Sequence, residues 1–266
     1  MTRPRPLAPA PADLPPLPTF LVIGAQKSAT RWLRDNLGAH PDVFAARAEL
    51  SQFDHEARWS LGLDFYRSQF AGWSGEPVVG ESTPGYLMWW NRPAEVAPRI
   101  DASLPGVRLI AVLREPVSRA QSALVHHIRA ERLRPGLRLP EYVATTDART
   151  DRLGIVSGGW YASSLEPYLE RFGDRLLVVL HDDVRDAPAA VYARAAAHVG
   201  ADPAFVPDEL EVVRNSQAQA KDAEQTDAAA APLAPDERAA VAAQFAAETS
   251  RLEALIGRDL SAWAGG

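Results

Sequence analysis

The chain has 266 residues, 47% of them hydrophobic, and a net charge of −6 at neutral pH. That is enough apolar material for one large α/β core, and the acidic balance counts against a general nucleic-acid binder while permitting a local basic pocket. Cysteine is absent, which excludes disulfides, thiolate nucleophiles and cysteine-based metal sites.

In chain order, residues 1–18 form a proline-rich arm with no apolar core of a secretory signal, so an extended or disordered segment is expected ahead of a single domain over 19–266. No apolar run reaches the ~18 residues of a membrane span. The missing signal and missing cysteine together lead to an expectation of a bacterial cytoplasmic protein. "TFLVIGA" reads as a buried strand, and "SATRWLRDNLGAH" as a helix with Trp32, Leu33 and Leu37 on one face and Gly38 at its stop. "PVVGEST" and "VRLIAVLREP" read as the second and third strands, the latter followed by the amphipathic helix "VSRAQSALVHHIRAE". "DRLLVVLHDDV" reads as a fourth strand, then come the helix "APAAVYARAAAHVG" and one long last helix from Pro235 to Gly257. The alternation implies a parallel sheet with helices on both faces. The polar stretch from Asn215 to Ala230 is expected to be a mobile loop.

The first strand-to-helix turn carries a lysine in a chain that otherwise uses arginine. Of 28 basic residues only Lys27 and Lys221 are lysine. A Walker A loop requires glycine directly before its lysine and again five positions further back; Gln26 and Leu21 stand there instead, so the nucleoside-triphosphate reading fails at two positions. What remains is a short turn with one cation, the hydroxyls of Ser28 and Thr30, and free amides at a helix N-terminus, which suits a phosphate-like group. A second anion site is read at the end of the third strand, where Arg114 can fork two hydrogen bonds onto a phosphate and Ser122 can add a hydroxyl. An incidental exposed lysine, and an Arg114 paired with Glu115 or Asp101, are the plain alternatives.

Together "IGAQKSATRWL" and "LREPVSRAQSAL" resemble the two cofactor loops of sulfotransferases that use 3′-phosphoadenosine 5′-phosphosulfate (PAPS). "HPDVFAARAELSQFD", "VVGESTPGYL", "GGWYASSLEPYLERFG", "LLVVLHDDVRDAP" and "LEALIGRDLSAW" extend the likeness to the carbohydrate type, the heparan sulfate sulfotransferases and their bacterial relatives. The resemblance implies a P-loop-like parallel sheet and sulfuryl transfer to a hydroxyl of a carbohydrate or small-molecule natural product, without a metal. It assigns the 5′-phosphosulfate to Lys27, Ser28, Ala29, Thr30, Arg31 and Trp32, mostly through main-chain amides, and the 3′-phosphate to Arg114 and Ser122. Tyr161 matches a family tyrosine near the nucleotide. Lys27 would stabilise the leaving group, and Glu49 matches the general base of the heparan sulfate 3-O-sulfotransferases, with His126 and His127 as the alternative bases. A P-loop-like kinase and an inactive nucleotide-binding module stand as the competing functions.

The chain departs from the family pattern in having Ser51 where histidine is common, Ser82 where lysine is common, and no basic "RKG" loop, for which Lys221 is a candidate substitute. These departures remove cations that a highly anionic sugar would favour. Trp59, Trp73, Trp89 and Trp90 offer aromatic platforms for an acceptor, with core packing as the other role for at least half of them.

Overall fold

The computed structural model describes residues 15–208, 210 and 228–265. Five parallel strands run β1 (Phe20–Gly24), β2 (Val43–Ala45), β3 (Val78–Ser82), β4 (Arg108–Leu113) and β5 (Leu176–Leu180), in the sheet order β2-β3-β1-β4-β5. Phe20 lies level with Gly80 of β3 and Arg108 of β4, which fixes the register of the central strand. Its apolar run is continuous because both faces are covered. Leu21, Ile23, Leu109, Ala111 and Leu113 pack on one side with α4 (Pro93–Ser103) and α7 (Tyr161–Phe172). Phe20, Val22, Ile110 and Val112 pack on the other with α1 (Thr30–Leu37) and α9 (Pro188–Val199). Gly80 is required where β3 passes Phe20, since a Cβ there would stand 2.3 Å from the ring.

The expected sheet is present with one more strand than the sequence pattern suggested. Val43–Ala45 is only three residues long, too short for a period-2 signal. "HDDV" is not part of the strand. The strand stops at Leu180 and α8 (His181–Asp186) begins, with Asp182 and Asp183 in its first turn, where carboxylates favour a helix N-terminus. The expected last helix is two, Pro235–Ala242 and Ala246–Ile256. Between them the amides of Gln244 and Phe245 turn back to carbonyls three residues earlier, and the Phe245 side chain is buried. The remaining α-helices are α2 (Glu56–Trp59), α3 (Gly62–Ser68), α5 (Pro116–Arg129), α6 (Leu139–Thr145) and a short last one, Ser261–Gly265.

At the arm's end, Pro15 accepts a hydrogen bond from Arg67 Nε at 2.8 Å and Leu17 packs against the core. Most of the expected Asn215–Ala230 loop, with Lys221, lies outside the described residues. Among the described residues no helix is long and apolar enough to cross a membrane, and no cluster of three or more His, Asp or Glu side chains could hold a metal ion.

Candidate active site

The chain leaves β1 for one edge of the sheet and returns past it to β4, so the strand order reverses between β1 and β4. In open α/β sheets that reversal opens a crevice at the strand carboxyl ends. The turn after β1 lies there. Ala25 N donates to Val112 O at 2.7 Å, fastening the turn to β4. Lys27 and Ala29 then adopt left-handed backbone conformations, φ 69° and 68°, with Ser28 between them. Non-glycine residues take such angles at a cost of about 1–3 kcal/mol each, and those angles gather at ligand clamps. Ala29 is the N-cap of α1, and the first helical bond runs from Leu33 N to Ala29 O at 3.1 Å. The amides of Thr30, Arg31 and Trp32 therefore lack helical acceptors and form the positive end of the helix dipole.

Ser28 is fully buried, and its Oγ makes no hydrogen bond of good geometry, although it sits near enough to the Tyr161 phenol to influence its titration. The Trp32 side chain turns away from the turn. Its Nε1 donates to Leu210 O at 2.9 Å and its ring packs in the core, leaving only its amide for a ligand.

Arg114 stands immediately beyond β4. Its Nη1 donates to Lys27 O at 3.2 Å, and Tyr161 donates its hydroxyl to Arg114 O at 2.9 Å. Lys27, Arg114 and Tyr161, distant in sequence, are thereby held in one cluster. Neither plain alternative for Arg114 is realised. Glu115 caps α5 by accepting from Val117 N and Ser118 N and pairs with Arg238, while Asp101 pairs with Arg175. Ser122 is buried on α5 in the second turn beyond that cap.

Lys27 is half-buried, and among the described residues its ammonium has no ion-pair partner. Burial depresses its pKa below the ordinary 10.5, assisted by the positive charges of Arg129, Arg114 and Arg31. Glu49 lies within the same field. Its carboxyl is raised above 4.5 by desolvation, against the opposing pull of Arg34, Arg31 and Lys27. The residue is still exposed at its surface, so it combines crowding with access. Arg34 is buried beneath this loop and donates to Arg47 O at 2.6 Å. Arg47 itself does not carry the electrostatics of Glu49.

The two histidines separate. His127 is buried, with its Nε2 3.0 Å from Leu153 O. His126 is half-buried and feels Lys27, and its pKa is pushed down to about 4 chiefly by desolvation. Arg129 belongs to this cationic cluster and was not singled out from the sequence. Its spacing of four and seven residues from Val125 and Ser122 places it on their stripe of α5, and that periodicity was the available signal. His181, at the end of β5, is likewise held near 4 by desolvation and by Arg114.

The tryptophans also divide. Trp59 packs on Phe53 under Arg99, and Trp73 donates Nε1 to Glu76 O at 2.8 Å, both against the core. Trp89 and Trp90 are half-buried and join Trp160, with Trp89 and Trp160 edge to face at 4.8 Å and Arg152 over Trp90 at 5.2 Å. Asn91, in the same turn, donates to Asp54 Oδ2 at 3.0 Å, and Asp54 is close enough to feel the charge of Glu49. The aromatic group therefore adjoins the Glu49 loop.

This chain is similar to known proteins over most of its length. It is 33% identical over 163 residues to mouse heparan sulfate glucosamine 3-O-sulfotransferase 3B1, covering 59% of this chain and 39% of that one. To the human 3B1 protein it is 31% identical over 192 residues, 69% of this chain and 46% of that one. It thus spans less than half the length of these curated relatives. The crystal structure of a sulfotransferase from Alicyclobacillus acidocaldarius superposes with a TM-score of 0.75 at 29% identity, covering 93% of this chain and 99% of the other. The sulfotransferase domain of the Synechococcus PCC 7002 olefin synthase, at 16% identity and a TM-score of 0.51, shares the fold. A family model described as the sulfotransferase domain matches residues 17–221, and with that span the chain belongs to the sulfotransferase domain family.

Proposed function

We propose that the protein transfers a sulfuryl group from PAPS to a hydroxyl of a carbohydrate or small-molecule natural product. The observation that carries this reading is the tie from Arg114 to the Lys27 carbonyl, which holds two anion-binding elements in one crevice. The residues fit such a donor. A buried Ser28 hydroxyl without a good partner, a left-handed turn with free amides, and a guanidinium that forms no ion pair among the described residues are what two phosphate-like groups require. Lys27, Ser28, Ala29, Thr30, Arg31 and the Trp32 amide would hold the 5′ end, and Arg114, Ser122 and Tyr161 the 3′-phosphate side. Bound PAPS supplies the sulfuryl group and leaves as 3′,5′-ADP.

Glu49 would take the acceptor's proton, since desolvation raises its basicity and its surface remains open. The Lys27 ammonium would meet the charge that develops on the departing side, and the amides beyond it would face the transferring oxygens. Trp89, Trp90 and Trp160 would form one wall for the acceptor. The similarity to heparan sulfate glucosamine 3-O-sulfotransferases supports a sugar hydroxyl, and the aromatic wall supports a sugar or planar ring over a densely anionic one. A screen of sugars, glycosides and phenols with PAPS, reading 3′,5′-ADP and sulfated product by mass, tests this reading. Product with ATP and magnesium instead of PAPS would favour a kinase, and tight 3′,5′-ADP binding with no product from any acceptor would favour an inactive binding module.

A further inference from the structure

Glu81 is the last but one residue of β3 and is completely buried, yet no cation pairs with it among the described residues. It accepts three hydroxyls: Thr83 Oγ1 at 2.7 Å on Oε2, and Tyr86 and Tyr66 at 2.7 and 3.2 Å on Oε1. Two of these hydroxyls pass the constraint on. Thr83 Oγ1 accepts from Leu50 N at 3.0 Å and Ser51 N at 3.2 Å, and Tyr86 accepts from Gln52 N at 3.0 Å. Three consecutive amides directly after Glu49 are thus hung from one carboxylate. Within them Ser51 holds a left-handed φ of 48°, a conformation that persists only where surroundings over-determine it.

We propose that Glu81 is a positioning residue that sets the Glu49 carboxylate through Thr83 and Tyr86. The inference rests on the reading of Glu49 as the base. Alternative duties for Glu81 are less well supported. Its oxygens are sealed from solvent, so it touches no acceptor, and a buried carboxylate with no cation contributes little net stability. Three donated hydroxyls favour the ionised form of Glu81, against the desolvation that opposes it. Desolvation pushes its pKa up to about 7. The groups facing it are Tyr66 from α3, Tyr86 from the turn after β3, Thr83, and Asp54, whose charge raises it further.

The test is a kinetic cycle. Thr83→Val removes the hydroxyl that relays Glu81 to Leu50 and Ser51 while keeping the shape. Turnover should fall about 10- to 100-fold, the scale of a small misplacement of a reacting group, with 3′,5′-ADP affinity held within about twofold. Thr83→Ser should restore most of the lost turnover. In a Glu49→Gln background the Thr83→Val effect should shrink to below about twofold, because two residues acting through one group are not additive. Glu81→Gln, which keeps the shape but removes the charge that Thr83 and Tyr86 donate to, should lower turnover in the same direction with 3′,5′-ADP affinity held. A full Thr83→Val loss persisting beside Glu49→Gln, or equal losses of turnover and nucleotide affinity, would overturn the proposal. If Glu49→Gln alone keeps wild-type turnover, the base assignment fails instead.

Discussion

The two sides of the crevice are built differently. The half proposed to hold the nucleotide is assembled from backbone: a left-handed turn, a helix end and one strand terminus, tied by the Arg114–Lys27 bond and the Tyr161–Arg114 bond. Its charge is positive, from Lys27, Arg31, Arg114 and Arg129. The half proposed to meet the acceptor is assembled from side chains: Glu49, Asp54 and Glu81 with two tyrosines, joined through Asn91 to the turn that carries two of three half-buried tryptophans. Backbone sites recognise a feature shared by all ligands of the class, here phosphate-like oxygens. Side-chain sites are replaceable one residue at a time, so specificity and proton transfer belong on the second side.

The largest effect that separates the sides is at Lys27. Lys27→Ala should lower turnover by about 100- to 1000-fold, the usual loss of one donor aimed at developing charge, with a much smaller loss of 3′,5′-ADP affinity by titration. Equal losses would place Lys27 in ground-state binding. The alkaline limb of the wild-type rate should reflect the same group. Lys27 must be protonated to act, and its pKa is depressed by burial, so rate should fall as pH rises through a value below 10.5. That limb should be missing from the residual activity of Lys27→Ala.

Next is the carboxylate across the crevice. Glu49→Gln should cost about 100-fold or more in turnover, the scale of general base catalysis, and leave nucleotide binding near normal. Glu49 acts deprotonated and its pKa is raised, so wild-type rate should decline as pH falls through a value above 4.5. A variant with wild-type turnover would transfer the role to His126, which desolvation keeps neutral down to about pH 4 and which lies within reach of the Lys27 charge.

The same division governs what could be read from the sequence. The turn after β1 and the strand-end Arg114 were legible as local signals, a strand-to-helix switch with a rare lysine and an arginine closing a strand, whereas Tyr161 came only from the family resemblance; the structure brings the three together. The Glu81 relay was not, because its partners Tyr66 and Tyr86 lie 15 residues before it and five after it, and nothing in "VVGEST" marks the carboxylate as buried. The pairing of Trp160 with Trp89 was missed for the same reason, since only the fold brings the two together. The break at Phe245 is another tertiary decision, because the alanine-rich run contains no helix breaker of its own.

A smaller effect tests the anion specificity of the backbone side. Arg114→Ala should weaken 3′,5′-ADP by about 10- to 100-fold, as expected for a charge-assisted contact of about 1.5–3 kcal/mol, while the weaker 5′-AMP should lose much less, only what the broken tie to the Lys27 carbonyl costs. Titration of both nucleotides decides it. Wild type that binds the two equally would have no 3′-phosphate site, and the PAPS reading would lose its support.

The smallest effect belongs to the aromatic wall and bears most directly on the acceptor. Trp90 is half-buried with Arg152 over its face, and its turn is tied to the Glu49 loop through Asn91 and Asp54. A ring stacked on such an indole gains about 0.5–1.5 kcal/mol beyond area burial, equivalent to about a 2- to 12-fold change in affinity. Trp90→Ala should therefore raise KM for a glycoside or phenol acceptor by that factor, with saturated turnover and 3′,5′-ADP affinity unchanged. An acceptor without a ring should show no difference between wild type and variant. If KM stays constant for every acceptor while the melting temperature falls, Trp90 packs the fold, and the acceptor is recognised elsewhere on the side-chain half of the crevice.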